Sequence, residues 1–196
     1  MPKKSAPTVR QQMERLLHLL EYEAALQDAR DDLIRFAEMT MPVERDMSNP
    51  HRTRYDAQPH HRLMAKTAMG IESGEAQKEI LNAPPRHGKS ELCTRRFAAW
   101  YWDATPERDI FVATYNENFA GDFGIEIREI IQSQRFKQIF PDFRLKKTAE
   151  GRLTNASGGN LYPLGRRSTM TGRGADLIIL DDPIKDDKEA RNPEAP

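Results

Sequence analysis

The sequence predicts an α/β fold, a parallel sheet flanked by helices and preceded by an N-terminal helical arm. Two continuous apolar runs, Ile110–Thr114 and Leu177–Leu180, read as strands covered on both faces. Segments with apolar residues at helical spacing alternate with them, and strand–helix alternation is the mark of parallel α/β sheets. A third short run, Ile80-Leu81-Asn82-Ala83, leads straight into Pro84-Pro85-Arg86-His87-Gly88-Lys89-Ser90, which reads as strand, turn and helix start.

Taken in order, the segment from Thr8 to Glu38 lacks Pro and Gly and predicts one or two amphipathic helices ending before Pro42. Leu16, Leu17 and Leu20 form one part of the apolar stripe, and Leu33, Ile34 and Ala37 a later part. Residues 1–40 are read as a helical arm. Residues 41–78 begin with a Pro-, His- and Arg-rich stretch that predicts an extended loop, followed by a helix with Leu63, Met64, Thr67 and Ala68 on its inner side and Gly74 just past its end. Residues 79–188 are read as the core. The helix after Ser90 places Cys93, Phe97, Trp100 and Tyr101 on one face, and Pro106 closes it. Helical spacing assigns Trp100, Tyr101 and Trp102 to core packing rather than to stacking on bases. Asn116 is placed to cap the next helix, whose stripe is Ala120, Phe123, Ile127, Ile130 and Ile131. Between Phe143 and Gly174 a β-hairpin is expected, with a turn at Ser157-Gly158-Gly159-Asn160. Residues 189–196 form a charged, Pro-containing tail.

Composition narrows the class without naming a function. With 38% hydrophobic and 31% charged residues, and no apolar run of membrane-spanning length, the chain reads as soluble. The basic N-terminus is not followed by an apolar stretch of signal-peptide type, so an intracellular location is expected. Lys plus Arg equals Asp plus Glu at 30 each, so any nucleic-acid contact must come from a local patch. The single cysteine, Cys93, can form no internal disulfide and anchors no cysteine-rich zinc site. His51, His60, His61 and His87 match no ligand spacing and are read as surface and pocket histidines.

The chemistry is concentrated in two places. A phosphate-binding loop needs a strand, a tight turn whose backbone N–H groups face the phosphates, and Gly-Lys-Ser or Gly-Lys-Thr opening a helix. Here Gly88 allows close backbone approach, Lys89 is the residue expected to reach the β- and γ-phosphates, and Ser90 to hold Mg²⁺. The helix start adds partial positive charge where the anion would sit. Ala83 stands where the first Gly of such loops is usual. The second place is the end of Leu177–Leu180, which carries Asp181 and Asp182 to the carboxyl end of a strand, where open α/β sheets bind ligands. Asp181 is expected to bind Mg²⁺ and Asp182 to polarise the attacking water. Together they predict a P-loop NTPase of the RecA-like, ASCE type that binds ATP and Mg²⁺.

The run Pro84-Pro85-Arg86-His87-Gly88-Lys89-Ser90-Glu91 resembles the altered Walker A loop of phage terminase large subunits. The likeness extends to His60-His61-Arg62-Leu63, Arg95-Arg96-Phe97-Ala98-Ala99-Trp100, Val112-Ala113-Thr114-Tyr115, Thr171-Gly172-Arg173-Gly174-Ala175-Asp176 and Leu180-Asp181-Asp182-Pro183-Ile184-Lys185. It implies the ATPase portion of a motor that drives double-stranded DNA into a procapsid, working in the host cytoplasm as a homo-oligomeric ring with a portal protein and a small terminase subunit. It implies that Pro85, Arg86, His87, Gly88, Lys89, Ser90 and Glu91 surround the nucleotide, with Arg86 contacting the γ-phosphate. An arginine acting in trans is implied as well. Arg173 is the first choice for it, with Arg166 and Arg167 as rivals. Tyr55, Gln58 and His60 are the candidates for adenine contact. Lys89, Asp182, Arg86 and Arg173 form the expected catalytic set, with Ser90 and Asp181 as metal ligands.

The chain departs from the family pattern at Asp182, where the catalytic carboxylate is usually Glu, and a further strand, a lid and a nuclease domain have no counterpart after it. The expectation is therefore a fragment, a truncated open reading frame or one piece of a split gene, without the nuclease. Two rival readings are a nucleotide-binding or assembly module with little turnover, and a ring or helicase-like ATPase of repair or recombination.

Overall fold

The structure is a computed structural model, and it describes residues 8–43, 49–149, 151–165, 168 and 174–184. Two helices open it, α1 (Val9–Asp31) and α2 (Leu33–Thr40). Thr8 caps α1 in a reciprocal pair with Gln11, and the Asp32 carboxylate accepts from the Arg35 amide at 2.9 Å to start α2 at the break between them. Helix α3 (Pro59–Glu72) follows, with Pro at its first position. A π-helical turn, Ser90–Arg96, runs on into α4 (Phe97–Ala104). Then come β1 (Ile110–Thr114), α5 (Glu117–Gln132), α6 (Gln134–Ile139), β2 (Leu145–Ala149), β3 (Arg152–Asn155), β4 (Asn160–Gly165) and β5 (Leu177–Leu180).

The five strands form one mixed sheet in the order β2-β3-β4-β1-β5. Strand β1 is parallel to both β4 and β5, whereas β2–β3 and β3–β4 are antiparallel. The expected parallel sheet is therefore corrected to a mixed one. The short turn at 157–160 can join only antiparallel neighbours, because a parallel return needs a crossover of a dozen residues or more. The expected hairpin is present and gains a third strand.

Strand β1 lies inside the sheet between β4 and β5 and is buried, with Ile110 and Val112 at 0% exposure. Helix α5 lies over β4 and β1 with Ala120, Phe123, Ile127, Ile130 and Ile131 buried, the stripe expected from its spacing. It comes close to β4 because residue 124 is glycine: a Cβ there would stand 2.5 Å from Pro163 Cγ. In the same core, Phe36, Phe136, Phe140 and Phe143 make edge and tilted ring contacts with centroids 5.0 to 6.1 Å apart, joining α2 to α6. Trp102 extends this cluster, with its centroid 5.4 Å from that of Phe143. Helix α4 is buried all round rather than on one face, and Trp100, Tyr101 and Trp102 are core residues.

Four further expectations are corrected. Ile80–Ala83 is not a strand, and Ile80 is 86% exposed. Extended backbone becomes a strand only by pairing, and no described strand lies beside this one. Strand β5 is a sheet edge rather than a doubly covered strand, with Ile178 at 55% and Leu180 at 63% exposure. On α1 the stripe of Leu16, Leu17 and Leu20 is more than half exposed, because only the helix's second half, at Leu26 and Ala29, is buried. The inner face of α3 is Met64, Ala65 and Ala68, one position round from the expected one, leaving Leu63 outside.

Asp103, at the end of α4, has its carboxyl pushed up to about 6, first by burial and then by the Asp142 charge, against the opposing pull of Arg30. The folded protein thus holds a proton that the unfolded chain releases near pH 4, so stability falls as pH rises from about 4 to about 6. Asp103→Asn is expected to flatten that fall and, with the partial exposure of the group screening the effect, to stabilise the protein at pH 7 by roughly 1 kcal/mol in urea unfolding. In the same assay Ile127→Ala is expected to cost about 2–5 kcal/mol, and Leu16→Ala to stay within about 0.5 kcal/mol of the parent.

Candidate phosphate-binding site

The carboxyl end of β5 sets the position of two acids. The Asp181 amide donates to the Ala113 carbonyl at 2.9 Å and the Tyr115 amide to the Asp182 carbonyl at 3.3 Å, so pairing with β1 continues just past the strand. Asp182 then turns into the left-handed region, φ 45°. The result is one buried and one exposed carboxylate: Asp181 is 4% exposed, and the side chain of Asp182 68%.

A buried carboxylate costs several kcal/mol unless it is paired and hydrogen-bonded. Asp181 has both kinds of partner. The Thr94 hydroxyl donates to Oδ2 at 3.1 Å, and Lys89 Nζ stands 3.3 Å from Oδ1. The same ammonium donates to Asp182 Oδ1 at 2.5 Å. Partial burial acts to lower the Lys89 pKa, but the hydrogen bond to Asp182 and the charge of Asp181 outweigh it and hold the lysine above its ordinary value. Lys89, Asp181 and Asp182, far apart in sequence, thus form one charged cluster.

The loop before Lys89 has an unusual backbone. Arg86 and Gly88 both lie at positive φ, 64° and 76°. Gly accepts this conformation freely, whereas Arg86 is strained by it, as is common at functional turns. The amides of Arg86, His87 and Gly88 donate to no group among the described residues. Pro85, Arg86 and His87 are exposed, and Gly88, Lys89 and Ser90 half-buried. Concave runs of free amides beside a helix start form an anion-binding surface.

A cavity of about 500 Å³ opens beside the acids, lined among others by Ser90, Arg95, Thr114, Tyr115, Asp181 and Asp182. Of the expected loop residues only Ser90 borders it. Glu91 points elsewhere, pairing with Arg96 at 2.8 Å and Arg95 at 3.7 Å. Arg95 also pairs with Glu126 and lies 4.9 Å from the Phe123 ring centroid. Tyr55, Gln58 and His60 do not line the cavity. Tyr55 is buried, with its hydroxyl pushed up to about 12, first by burial and then by the nearby Cys93 and Glu91, and Gln58 donates to Asp56 at 2.6 Å. Arg173, Arg166 and Arg167 lie outside the described residues.

Four residues at or beside the site were not singled out individually from the sequence. Thr94 could have been found as the position one turn beyond Ser90. Arg95 and Tyr115 carried no signal beyond their neighbourhood, and His61 is identifiable only from its contacts. The oxygen donors of Ser90, Asp181 and Asp182 suit a hard divalent cation such as Mg²⁺, which keeps several waters and is bound by one or two carboxylates together with phosphate oxygens. Among the described residues no group of three or more His, Cys, Asp or Glu could hold a metal unaided, so a cation here would need such additional ligands.

Residues 80–192, more than half of the chain, match the family model described as terminase large subunit, T4likevirus-type, N-terminal. No curated protein and no solved structure gives a match. No helix among the described residues is long and apolar enough to cross a membrane.

Cys93 lies between this cluster and the core, and its thiol is pushed up to about 12 by burial and by the charge of Asp181. The thiolate is the reactive form. Cys93 is half-buried, and it is therefore expected to react with an aromatic disulfide reagent at pH 8 about tenfold or more slowly in the folded protein than in urea. Equal labelling rates in the folded protein and in urea would contradict the suppressed thiolate.

Proposed function

Because the chain belongs to the terminase large-subunit family, T4-like-virus type, N-terminal portion, with a role in phage DNA packaging, we propose that it hydrolyses ATP and that this drives double-stranded DNA into a procapsid. The observation that carries the reading is the convergence of Lys89, Asp181 and Asp182 beside a loop with unclaimed amides. Lysine, loop amides and a strand-end carboxylate pair are the parts that P-loop ATPases use. The proposed fold is accordingly the RecA-like, ASCE type, of which β1, β5 and the loop would be members.

In this reading the nucleotide phosphates lie over the amides of residues 86–90. Lys89 exchanges its contact with Asp182 for the β- and γ-phosphates, which offer it more negative charge. Mg²⁺, held by the Ser90 hydroxyl and Asp181, supplies neutralisation of the phosphate oxygens. Asp181 keeps its orientation through the Thr94 hydroxyl. Asp182, exposed and released from Lys89, accepts a hydrogen bond from the attacking water and orients it. Arg86, exposed on the loop, reaches the γ-phosphate, and an arginine of a neighbouring subunit, Arg173 before its rivals, balances charge in the transition state. Catalysis is then positional and electrostatic. The partners proposed are a portal protein, a small terminase subunit and further copies of this chain in a ring, in the host cytoplasm.

The alternative, nucleotide binding with little turnover, draws support from the Lys89–Asp182 pair, which occupies the two groups that hydrolysis needs free. Steady-state ATPase measurements with Mg²⁺ separate the two. The parent protein is expected to turn over ATP, with Lys89→Ala and Asp182→Asn each reducing kcat by about 100-fold or more. Equal rates in parent and variants would end the hydrolytic reading; tight nucleotide binding without turnover would favour the alternative.

A further inference from the structure

Helix α3 meets the phosphate loop through two neighbouring rings, His60 and His61, and His61 carries the hydrogen bond. Its Nδ1 lies 3.1 Å from the Gln58 amide nitrogen and its Nε2 3.2 Å from the His87 carbonyl oxygen. These two partners settle the state of the ring. A backbone N–H can only donate, so Nδ1 carries no proton; a carbonyl can only accept, so Nε2 carries one. Neutral His61 in the Nε2–H form satisfies both bonds at once.

The ring is also fixed by packing. Its centroid lies 5.3 Å from that of Tyr55 and 4.1 Å from that of His60, and His60 is in turn 5.5 Å from His87. Burial, followed by the His60 charge, lowers the His61 pKa against the weaker opposing pull of the His87 carbonyl and Asp56. A Cβ at residue 88 would stand 2.7 Å from His61 Nε2, so glycine there is required by this ring as well as by its positive φ.

The consequence for the loop follows from peptide geometry. In a trans peptide the C=O of one residue and the N–H of the next point in opposite directions. A carbonyl of His87 held toward α3 therefore turns the Gly88 amide away from α3 and leaves it unclaimed by the protein. We propose that His61 is a positioning residue of the phosphate loop, its Nε2–H holding the His87 carbonyl so that the Gly88 amide stays presented to a bound phosphate. This rests on the nucleotide-binding part of the function proposed above.

His61 also serves as the third residue of α3, where a side-chain acceptor returns to the Gln58 amide. Substitutions separate that capping role from the clamp. His61→Gln offers both an acceptor and a donor. His61→Glu keeps the acceptor for the cap, as capping boxes do, but sets a carboxylate against the His87 carbonyl. His61→Ala loses both. Binding of ADP with Mg²⁺ by titration calorimetry, ATPase kinetics and melting temperature are measured on the full chain. His61→Glu is expected to weaken ADP binding and raise KM for ATP by about tenfold, with kcat within about twofold and the melting temperature unchanged. His61→Gln is expected to stay within about twofold of the parent in all three. Parent-like affinity in His61→Glu, or losses that follow the melting temperature across the series, would overturn the clamp.

A parent protein that binds no ADP would count against the proposed function. The clamp is then judged on the nucleotide-free protein by long-range ¹H–¹⁵N correlation of the histidine rings. The Nε2–H form at His61 is expected, and the Nδ1–H form would refute it.

Discussion

The organisation of this end of the molecule depends on how a buried carboxylate is kept charged. Asp181 is almost fully inside the protein, and its ionised form is tolerable only because Lys89 and Thr94 reach it from the helical segment opposite. That requirement couples three elements. Pairing with β1 fixes the depth of Asp181, the π-helical turn carries Thr94 to it, and the loop must end where Lys89 can arrive. Removing Lys89 would therefore disturb more than a ligand contact, since it would leave Asp181 with a single neutral partner.

Much of the fold was legible because burial and periodicity agreed. Helix α5 is the clearest case: every apolar residue of its stripe is buried, and Asn116 caps it, accepting from the Asn118 amide at 2.8 Å. Strand β1 was legible for the same reason. The failures share a cause. Ile80–Ala83 and the Leu16–Leu20 stripe are apolar patterns whose cover is not among the described residues, and a pattern states only that a face is suited to burial. The mixed sheet has a different cause: the hairpin at 157–160 is legible from its turn, but nothing local shows that its strands join β1 and β5 in a single sheet.

The site was legible in proportion to how locally its chemistry is written. Gly88, Lys89 and Ser90 are contiguous, and two consecutive acids after an apolar run announce a strand end. Thr94 and His61 reach the site through residues distant in sequence, and although His61 stands in the run His60-His61-Arg62-Leu63, nothing local assigns it a contact with the loop. The adenine-side candidates show the converse. Tyr55 and Gln58 have side chains of the type that adenine contact uses, and in the structure Tyr55 is buried while Gln58 donates to Asp56.

The two acids differ in what each can do. Asp181 is fixed at three points, by its amide, by Thr94 and by Lys89, and so is suited to hold a position. Asp182 is exposed, sits at positive φ and has one side-chain partner among the described residues, so it can change partners at small cost. That partner, Lys89, is the group an incoming phosphate would claim. On the proposed function, nucleotide arrival and release of Asp182 are then one event, because a single ammonium serves both. A carboxylate with the short arm of aspartate would be held away from water chemistry until the phosphate draws Lys89 off, which ties its availability to an occupied site.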